Sequence, residues 1–446
     1  MKRPINIVII GGGYVSVWAY RSLLKKLRSD ILSGKVKIIV VSPYMYHSFH
    51  GWSAEGLTGV IQNINRRSPL SEVVSRAEII KGSAEEVDTT ANVVYVRREN
   101  GGLESLHYDH LLMGFGSNDA QTIEGIKQYG FGIKSPEEFE KCYTAILNLV
   151  KNAAEYEAAI AQRLLTFTVA GAGMTGVELA LNLDEYLSVA KSQYPSLKDV
   201  EPKVTLINSG DKVISALNPK LKRIRNYVEK TIEKSNVRVI SNARLEKVTR
   251  EGAFLNDGTF LQCSMVISTV GQSRLIFKGT EAMLRDTAQR LCTNEFFQVP
   301  GHPNIWGGGD ACNVPYMKTN EACTSDALWA IKHGKYAGNN IARAIKSTPL
   351  KPFMYKGLGQ AASLGMGKGI GELYGFEFTG KLAWILRWFF FNYFMPSRKV
   401  MIRVIGDWFF LLLNGQRKGL YVFNKFAEPD HQTATAKQLA FNIAEK

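Results

Sequence analysis

Residues 166–180 read TFTVAGAGMTGVELA, and this stretch decides the fold of the chain. A short apolar strand leads into a complete G-x-G-x-x-G motif at Gly171, Gly173 and Gly176, and a helical segment follows the motif. Glycines in this pattern allow a tight turn and let the backbone approach a pyrophosphate, which the free N–H groups of the helix N-terminus bind. The stretch therefore predicts a Rossmann-like unit that binds a dinucleotide.

The N-terminus carries the same pattern in a less complete form. The strand Ile5–Ile10 leads into Gly11 and Gly13, and a helix is predicted over about residues 15–27. Ser16 occupies the third glycine position, where its small side chain still permits close packing of the helix on the strand. We therefore expect a second dinucleotide-binding unit upstream of the first.

Each motif is followed by a second strand, whose end is expected to bind the ribose hydroxyls of the nucleotide through an acid. The strand at residues 36–41 ends at Ser42, and the strand at residues 203–207 ends at Asn208, so neither position holds an acid. We assign Ser42 and Asn208 to the two cofactor sites. Because an acid repels a 2′-phosphate and favours NADH, its absence at Asn208 leaves both NADH and NADPH open.

Two such units in one polypeptide predict an α/β protein with two dinucleotides, FAD and NAD(P)H, which exchange hydride when their rings stack. The length of 446 residues suffices for two or three domains. With 45% hydrophobic and 21% charged residues, the chain is neither disordered nor a polytopic membrane protein. Its five cysteines, an odd number, do not form a disulfide framework and indicate a reducing compartment.

Two further segments complete the pattern. Residues 304–311 read as a short strand that ends in glycines and Asp310, and residues 108–117 run through Gly116 to Ser117. With the two motifs, they make the chain similar to the two-dinucleotide flavoprotein oxidoreductases. That family includes disulfide reductases, ferredoxin reductases, sulfide:quinone reductases and type II NADH dehydrogenases. The resemblance implies two Rossmann-like domains, with the NAD(P) domain inserted into the FAD domain, and a C-terminal amphipathic helical region that docks on a membrane.

The resemblance also implies domain boundaries and residue roles. The boundaries are residues 1–118 and 270–345 for the FAD-binding domain, 119–269 for the NAD(P)-binding domain and 346–446 for the membrane-docking region. Asp310 matches the family aspartate that binds the ribityl chain of FAD. Gly116 and Gly271 match the two crossovers at which the chain leaves and re-enters the FAD domain.

Cysteines distinguish the branches of the family. A disulfide reductase carries a redox-active cysteine pair, and this chain has none at the family positions. Sulfide:quinone reductases use cysteines beside the flavin. Cys312 and Cys323 lie near that region of the chain, but their spacing does not match the expected pattern. Sulfide oxidation therefore stays an alternative.

The C-terminal region is basic and aromatic. Residues 380–426 contain 13 aromatic residues, the single acid Asp407 and eight cations, which are Lys381, Arg387, Arg398, Lys399, Arg403, Arg417, Lys418 and Lys425. Cations among aromatic rings suit an anionic lipid surface, and no nucleic-acid-binding motif accompanies them. Two helices are expected at residues 380–394 and 397–413, separated by Met395-Pro396.

No segment reaches the roughly 20 apolar residues that a membrane-spanning helix needs. Type II NADH dehydrogenases are monotopic enzymes whose C-terminal amphipathic helices dock on the bilayer. The resemblance therefore implies a peripheral protein on the cytoplasmic side of the membrane. The competing interpretation is that these helices form core or a dimer interface.

Three residues are candidates for catalysis. Glu178 matches a family glutamate close to the nicotinamide, which implies a positioning or proton-relay role. Lys332 and His333 stand where the type II pattern has glutamines beside the flavin and quinone. A lysine there would stabilise anionic reduced flavin, and a histidine would deliver a proton to a reduced quinone. The alternative places both residues on a solvated helix face.

The sequence thus predicts an FAD-dependent NAD(P)H dehydrogenase that passes hydride from NAD(P)H to FAD and electrons on to a membrane quinone. The alternatives are an FAD-dependent oxidoreductase of the sulfide:quinone type or with another acceptor, and a non-catalytic flavin redox sensor at the membrane. No metal site is evident, because His47 and His50 lack further ligands nearby in the sequence. The oligomeric state stays open, a homodimer included.

Overall fold

A computed structural model of the chain describes residues 3–316 and 322–426, with side chains described as far as residue 413. The helices are α1 (Tyr14–Lys26), α2 (Arg28–Leu32), α3 (Ser53–Leu57), α4 (Leu70–Val73), α5 (Ile126–Tyr129), α6 (Pro136–Ala153), α7 (Ala158–Leu164), α8 (Met174–Lys191), α9 (Lys222–Glu233), α10 (Ala327–Ile345), α11 (Gly380–Phe394) and α12 (Arg398–Phe426). The strands are β1 (Ile5–Ile10), β2 (Val36–Ser42), β3 (Tyr46–Ser48), β4 (Arg67–Pro69), β5 (Glu78–Asp88), β6 (Val93–Arg98), β7 (Leu103–His107), β8 (His110–Met113), β9 (Asn118–Asp119), β10 (Thr166–Ala170), β11 (Lys203–Ile207), β12 (Val237–Ile240), β13 (Leu245–Thr249), β14 (Gly252–Leu255), β15 (Phe260–Gln262), β16 (Met265–Ser268), β17 (Gln272–Ser273), β18 (Leu291–Cys292), β19 (Gln298–Val299), β20 (His302–Gly307), β21 (Cys312–Asn313), β22 (Gly359–Ser363), β23 (Gly369–Leu373) and β24 (Phe376–Thr379).

The described residues form two compact units. The first unit takes the chain up to residue 49 together with residues 67–118 and 273–357. The second unit takes residues 50–66, 119–272 and the chain from residue 358 onward. Residues 50–66, which lie inside the predicted FAD domain, therefore pack in the second unit instead. The domain boundaries deduced from the sequence stay a prediction, and the last 20 residues of the predicted docking region lie outside the described residues.

The first unit is built on a mostly parallel sheet in the order β19-β20-β8-β1-β2-β5-β6-β7. Strand β1 pairs in parallel with β2 on one side and with β8 on the other. Since the chain runs from β1 to one neighbour and returns later to the opposite one, the carboxyl end of β1 is a topological switch point, where open α/β sheets bind their ligands. Gly11 follows β1 directly, so the glycine motif lies at this switch point.

The second unit repeats the arrangement on a smaller scale. Its parallel sheet has the order β12-β11-β10-β16, and β10 lies between β11 and β16. Gly171 follows β10, so the second motif also lies at a switch point. The expected α/β fold with two Rossmann-like dinucleotide-binding units is confirmed, and β1, β10 and β11 have the bounds predicted from the sequence.

Two glycines set the distance between α1 and α10 in the first unit. A Cβ atom at Gly334 would stand 2.4 Å from the carbonyl oxygen of Val15, and one at Gly338 would stand 2.4 Å from that of Ala19. Only glycine permits this approach of the two backbones. Gly334 and Gly338 therefore serve the packing of α10 on α1.

The C-terminal helices break where the sequence predicts. Helix α11 ends at Phe394 and α12 begins at Arg398, so the break at Met395-Pro396 is confirmed. Helix α12 continues 13 residues beyond the predicted end, to Phe426. Among the described residues, no helix combines the length and the apolar character needed to cross a membrane.

Two charged residues of this region lie inside the protein, because Arg387 is 2% exposed and the lone acid Asp407 is buried as well. Both side chains bind protein groups described below, because an unpaired charge inside a protein is strongly destabilising. The side chains of Arg417, Lys418 and Lys425 lie outside the described residues.

Candidate active site

The first glycine motif forms a cradle at the N-terminus of α1. Gly11 has a φ of +107°, and a Cβ atom on it would stand 2.6 Å from the carbonyl oxygen of Gly114, so the turn requires glycine. Helix α1 starts after Gly13 without a side-chain cap, which leaves its first N–H groups available to an anion. Ser16 is buried at the third position, close to Gly114. This arrangement fits the pyrophosphate of FAD.

The second motif forms an equivalent cradle at the N-terminus of α8. Gly171 has a φ of +102°, and a Cβ atom on Gly176 would stand 1.7 Å from the carbonyl oxygen of Gly171. Gly173 is the uncapped helix start, and the space where its Cβ atom would lie is open. An open face over unbonded N–H groups fits a second pyrophosphate, that of NAD(P)H.

The two predicted ribose-binding side chains are engaged in their own turns. The Ser42 hydroxyl donates to the carbonyl oxygen of Tyr44 at 2.7 Å. The amide of Asn208 donates to the carbonyl oxygen of Gly210 at 2.9 Å. Both side chains are buried. Their contact with a ribose stays a prediction, and each residue shapes the turn that follows its strand.

Asp310 lies at the end of the strand that the sequence assigns to the flavin. Its carboxylate accepts a hydrogen bond from the Ser117 hydroxyl at 3.1 Å, and Arg274 donates to its carbonyl oxygen at 3.2 Å. Gly116 has a φ of +71° and Gly271 a φ of +72°, and each lies within two residues of a point where the chain passes from one unit to the other. These features fit the roles that the resemblance implies.

His333 is not on a solvated helix face, so that expectation is wrong for this residue. It is 2% exposed, its Nδ1 accepts a hydrogen bond from the Gly309 N–H at 3.0 Å, and its ring packs on Phe297 and Phe353. Burial lowers the pKa of His333 to about 3, so the imidazole is neutral at pH 7. His333 fixes the backbone next to Asp310, and proton delivery by this group stays a prediction.

Lys332 is half-buried at the start of α10. Its ammonium lies 4.9 Å from the centroid of the Tyr355 ring, a cation–π arrangement within the first unit. The Tyr355 ring therefore contributes to holding this charge in place. Its action on the flavin stays a prediction.

Glu178 belongs to a buried cluster of charged residues in the second unit. Arg387 Nη2 lies 2.6 Å from Glu178 Oε1, and the same guanidinium makes a two-armed ion pair with Glu55. Glu178 Oε1 also accepts a hydrogen bond from the Ser363 N–H at 2.8 Å. The side chains of Arg387 and Glu55 are each 2% exposed and that of Glu178 is 17% exposed. Three segments, α3, α8 and α11, thus meet at one guanidinium.

The cluster holds one cation and two carboxyl groups, so full ionisation would leave an excess negative charge in a buried place. Burial raises the pKa of Glu178, the positive charge of Arg387 opposes that rise, and the charge of Glu55 adds to it, with a resulting pKa of about 7. Burial alone would lower the pKa of Arg387, but the two carboxylates raise it above its usual value. Glu178 is therefore the group that takes up or releases a proton near neutral pH.

Aromatic and polar groups of the second unit enclose this cluster. The Arg387 guanidinium lies 4.4 Å from the Phe391 ring centroid and 5.2 Å from that of Trp52, and it donates to the carbonyl oxygen of Gly51 at 2.9 Å. A cavity of about 10 Å³, the volume that one water molecule needs, borders Glu55. The surroundings hold the guanidinium in a fixed position.

Asp407 forms a second set of contacts between the C-terminal helices and residues 50–66, in addition to the ion pair of Arg387 with Glu55. Its carboxylate accepts hydrogen bonds from the Asn65 amide at 2.7 Å and from the Gln62 N–H at 3.1 Å.

Of the buried cluster, the sequence analysis identified Glu178 as a functional residue and missed Glu55 and Arg387. The available signals were an acid within the apolar run around Glu55 and a single acid, Asp407, in an otherwise basic helix.

The cysteines give no reactive thiol. Cys312 and Cys323 are free and buried, and burial raises the pKa of each to about 12. The thiolate is the nucleophilic form, and it is scarce at neutral pH when the pKa is so high. The structure thus gives no support to the sulfide-oxidising alternative through these two residues.

Comparison with known proteins identifies a family. A model of the pyridine nucleotide-disulphide oxidoreductases matches residues 5–327. A probable NADH dehydrogenase of Dictyostelium discoideum is 23% identical over 424 residues, which cover 92% of this chain and 90% of that protein. A type II NADH:quinone oxidoreductase of Mycobacterium tuberculosis is 24% identical over 444 residues, with 95% and 92% covered.

A solved structure has the same fold. NDH2 from Plasmodium falciparum, in complex with NADH, superposes with a TM-score of 0.82 at 15% sequence identity. The match covers 93% of this chain and 99% of that one. The likeness extends beyond the family model to residues of the C-terminal region.

Replacing Arg387 with methionine is expected to destabilise the protein more at high pH than at low pH. Without the guanidinium, the buried Glu178 carboxyl loses the positive charge that opposes the rise of its pKa, so its folded-state pKa lies further above the unfolded value of about 4.3. The loss of stability is therefore largest at the pH values where this carboxyl is ionised in the unfolded chain. It becomes smaller as the pH falls. We expect the free energy of unfolding to drop by about 3–5 kcal/mol at pH 8, measured by chemical denaturation.

Lys381→Met is the matched control, because Lys381 is an exposed cation on the same helix. The double variant E55Q/R387M is expected to recover part of the loss, since it removes one of the two carboxylates. A stability of R387M equal to that of the wild type at pH 8 would show that the cluster contributes nothing to the fold.

Proposed function

Because the chain belongs to the pyridine nucleotide-disulphide oxidoreductase family, we propose that it is an FAD-dependent NAD(P)H:quinone oxidoreductase of the type II NADH dehydrogenase kind. The observation that carries the proposal is the pair of uncapped glycine cradles, one at the switch point of each parallel sheet. Two such cradles fit two bound dinucleotides. All five cysteines are free, which does not suggest disulfide chemistry. The names of the relatives from Dictyostelium and Mycobacterium point to the same reaction.

Each cofactor is held by residues of one unit. Gly11, Gly13 and Ser16 hold the pyrophosphate of FAD at the start of α1, and Asp310 binds its ribityl chain. Gly171, Gly173 and Gly176 hold the pyrophosphate of NAD(P)H at the start of α8. Bound at these residues, FAD would supply the chemistry of accepting a hydride from the nicotinamide and donating electrons to a quinone. Neutral His333 keeps the Gly309 N–H in place beside Asp310.

Glu178 supplies the proton-handling group. Quinone reduction consumes protons, and a carboxyl group with a pKa of about 7 is half-protonated under ordinary conditions, which suits a group that both gives and takes a proton. Arg387 keeps the ionised form in place after release, since the guanidinium stays charged. The small cavity beside Glu55 offers room for a water that re-protonates the cluster. Glu178 thus acts as a proton relay.

The C-terminal helices form the membrane-docking surface. Their most exposed apolar residues follow helical spacing on each helix and are Leu382, Leu386, Phe389 and Tyr393 on α11 and Ile402, Ile405, Phe409, Leu412 and Leu413 on α12. We call this set the apolar stripe. Exposed cations flank it and are Lys381, Arg398, Lys399 and Arg403. An apolar stripe beside cations fits the anionic lipids of a cytoplasmic leaflet, and this fit supports our proposal that the enzyme lies on that side of the membrane.

Anaerobic addition of NADH or NADPH is expected to bleach the visible absorbance of the bound flavin, whereas sulfide is expected to leave it unchanged. The physical reason is that the structure has a nucleotide cradle but no cysteine with a thiolate at neutral pH. Re-oxidation of the bleached enzyme by a soluble ubiquinone or menaquinone analogue completes the test. The variant C312S/C323S serves as control and is expected to behave as the wild type. Bleaching by sulfide alone would move the chain to the sulfide-oxidising branch.

The turnover number is expected to fall as the pH rises through about 7, because protonated Glu178 is the donor. Glu178→Gln removes the titrating group, so this variant should lose that limb of the pH profile and about 10²-fold in kcat. Steady-state quinone reduction between pH 5.5 and 9 measures the pH dependence and the loss in kcat. These limits bracket the pKa by roughly one to two units on each side.

Glu185→Gln is the matched control for Glu178→Gln. Glu185 lies on the same helix and accepts a hydrogen bond from the Met366 N–H at 2.7 Å, much as Glu178 accepts from Ser363. An E178Q profile with the wild-type pH dependence would exclude the relay.

Placing glutamates in the apolar stripe is expected to weaken binding to anionic vesicles. Phe389 and Phe409 are 61% and 62% exposed, so the variant F389E/F409E should keep its fold. Each buried phenylalanine contributes about 1.5–3 kcal/mol, so the double change should lower vesicle affinity by at least about tenfold in a sedimentation assay. Leu103→Glu, at an exposed apolar residue on β7, is the control. Unaltered vesicle binding by F389E/F409E would rule out this surface.

A further inference from the structure

His47 contacts the first glycine motif from outside it. The residue lies on β3, which pairs with β4 so that His47 stands opposite Ser68. Both residues are fully buried. His47 Nδ1 lies 3.1 Å from the carbonyl oxygen of Gly12, the glycine between the two that form the turn and start the helix. These residues all belong to the first unit. A buried histidine is therefore bound to the backbone of the cradle.

The partner of His47 identifies which ring nitrogen carries the proton. A carbonyl oxygen only accepts hydrogen bonds, so Nδ1 is the donor to Gly12. Burial lowers the pKa of His47 to about 4, so the ring is neutral at pH 7 and Nε2 carries no proton. Nε2 has no hydrogen-bond partner among the described residues. The bond to the Gly12 carbonyl is therefore the polar contact that orients this ring.

Aromatic side chains of α1 hold the imidazole in place. The His47 ring packs edge-on against Tyr14, with 4.6 Å between the ring centroids. Trp18, one turn further along the helix, lies 6.0 Å from the imidazole in a similar arrangement. Aromatic pairs at such distances and angles attract each other. Since α1 begins directly after Gly13, these contacts fix the histidine relative to the start of the helix.

The bond to His47 sets the orientation of one peptide group in the cradle. The described peptide bonds are trans, so the carbonyl of Gly12 and the N–H of Gly13 lie in one plane and point in opposite directions. With the carbonyl directed at His47, the N–H points to the side away from the imidazole. Glycine adopts many backbone conformations, so a peptide group between two glycines rotates readily unless a partner holds it.

We infer that His47 is a positioning residue for FAD, which directs the Gly13 N–H toward the pyrophosphate by holding the Gly12 carbonyl. If this peptide group rotated by half a turn, the carbonyl oxygen would face the anion, and its partial negative charge would repel the phosphates. The inference rests on the proposed function. It adds a residue from outside the glycine motif to those that hold the cofactor.

Three substitutions at His47 separate the hydrogen bond from the packing of the ring. His47→Asn keeps an N–H donor attached to Cγ and loses the ring. His47→Phe keeps a ring and loses the donor, and His47→Leu loses both. Flavin fluorescence on dilution of each holoenzyme measures the release of FAD. We expect FAD affinity to fall by about tenfold or more in H47F and H47L, and by less than about threefold in H47N.

His110→Phe is the matched control. His110 is another histidine of the first unit, and its Nδ1 accepts a hydrogen bond from the Trp306 side chain at 3.3 Å. It pairs with Ile7, on the part of β1 that precedes the glycine turn. This variant loses a histidine hydrogen bond away from the cradle, so it should hold FAD as the wild type does.

The phosphorus resonances of bound FAD give a second readout on the holoenzyme. In a ³¹P NMR spectrum, the pyrophosphate signals should shift in H47F, because the Gly13 N–H no longer faces the phosphates. They should keep their wild-type positions in H47N and in H110F. Far-UV circular dichroism shows whether each variant is folded, and H47L takes the place of H47F in this comparison if H47F is not.

The inference is overturned if H47F holds FAD as tightly as the wild type while H47N does not, because ring packing would then be the function of His47. Equal weakening by all three substitutions overturns it as well, since the donor would give no rescue. Failure of the proposed function is distinguishable. A wild-type protein that binds no FAD, or whose flavin is bleached by neither NADH nor NADPH, would remove the oxidoreductase itself.

Discussion

One buried guanidinium organises the second unit. Arg387 binds Glu55 and Glu178, so the C-terminal helix α11, the short helix α3 and helix α8 are joined at a single charge. Burying an arginine is strongly unfavourable unless carboxylates surround it, and this site supplies two. Removal of the cation leaves two like charges in a place with little water. The position of residues 50–66 and of α11 therefore depends on this interaction, which Asp407 reinforces through Asn65.

The same interaction connects stability with chemistry. Burial raises the pKa of Glu178 to about 7 against the opposing charge of Arg387, and the neighbouring Glu55 charge adds to the rise. Glu178 lies in the first turns of α8, the helix that starts at the second glycine motif. The ion pair that joins these three segments thus contains the group that we propose as the proton relay. This explains why a basic residue of the aromatic C-terminal segment lies inside the protein rather than at the lipid surface.

Local signals made much of the fold predictable. A strand, a glycine turn and a helix follow one another within 15 residues at Thr166–Ala180, so the geometry of the cradle is encoded in consecutive residues. The break at Pro396 is equally local, because proline lacks the N–H that the helix needs. The burial of His333 was not predictable from the sequence, because the rings that surround it belong to Phe297 and Phe353, which lie on other segments. A histidine beside a lysine on a helix gives no indication of such burial.

The sequence by itself determined the two dinucleotide cradles, the strand bounds next to them and the absence of a cysteine pair, because each depends on residue type over a short range. Only the tertiary structure decided that Glu55, Glu178 and Arg387 meet, since Arg387 is 332 residues from one partner and 209 from the other. Burial then decided the charge states, because the pKa values of Glu178 and His333 depend on how much water the fold excludes. A linear pattern records residue types, and the exclusion of water is a property of the packed chain.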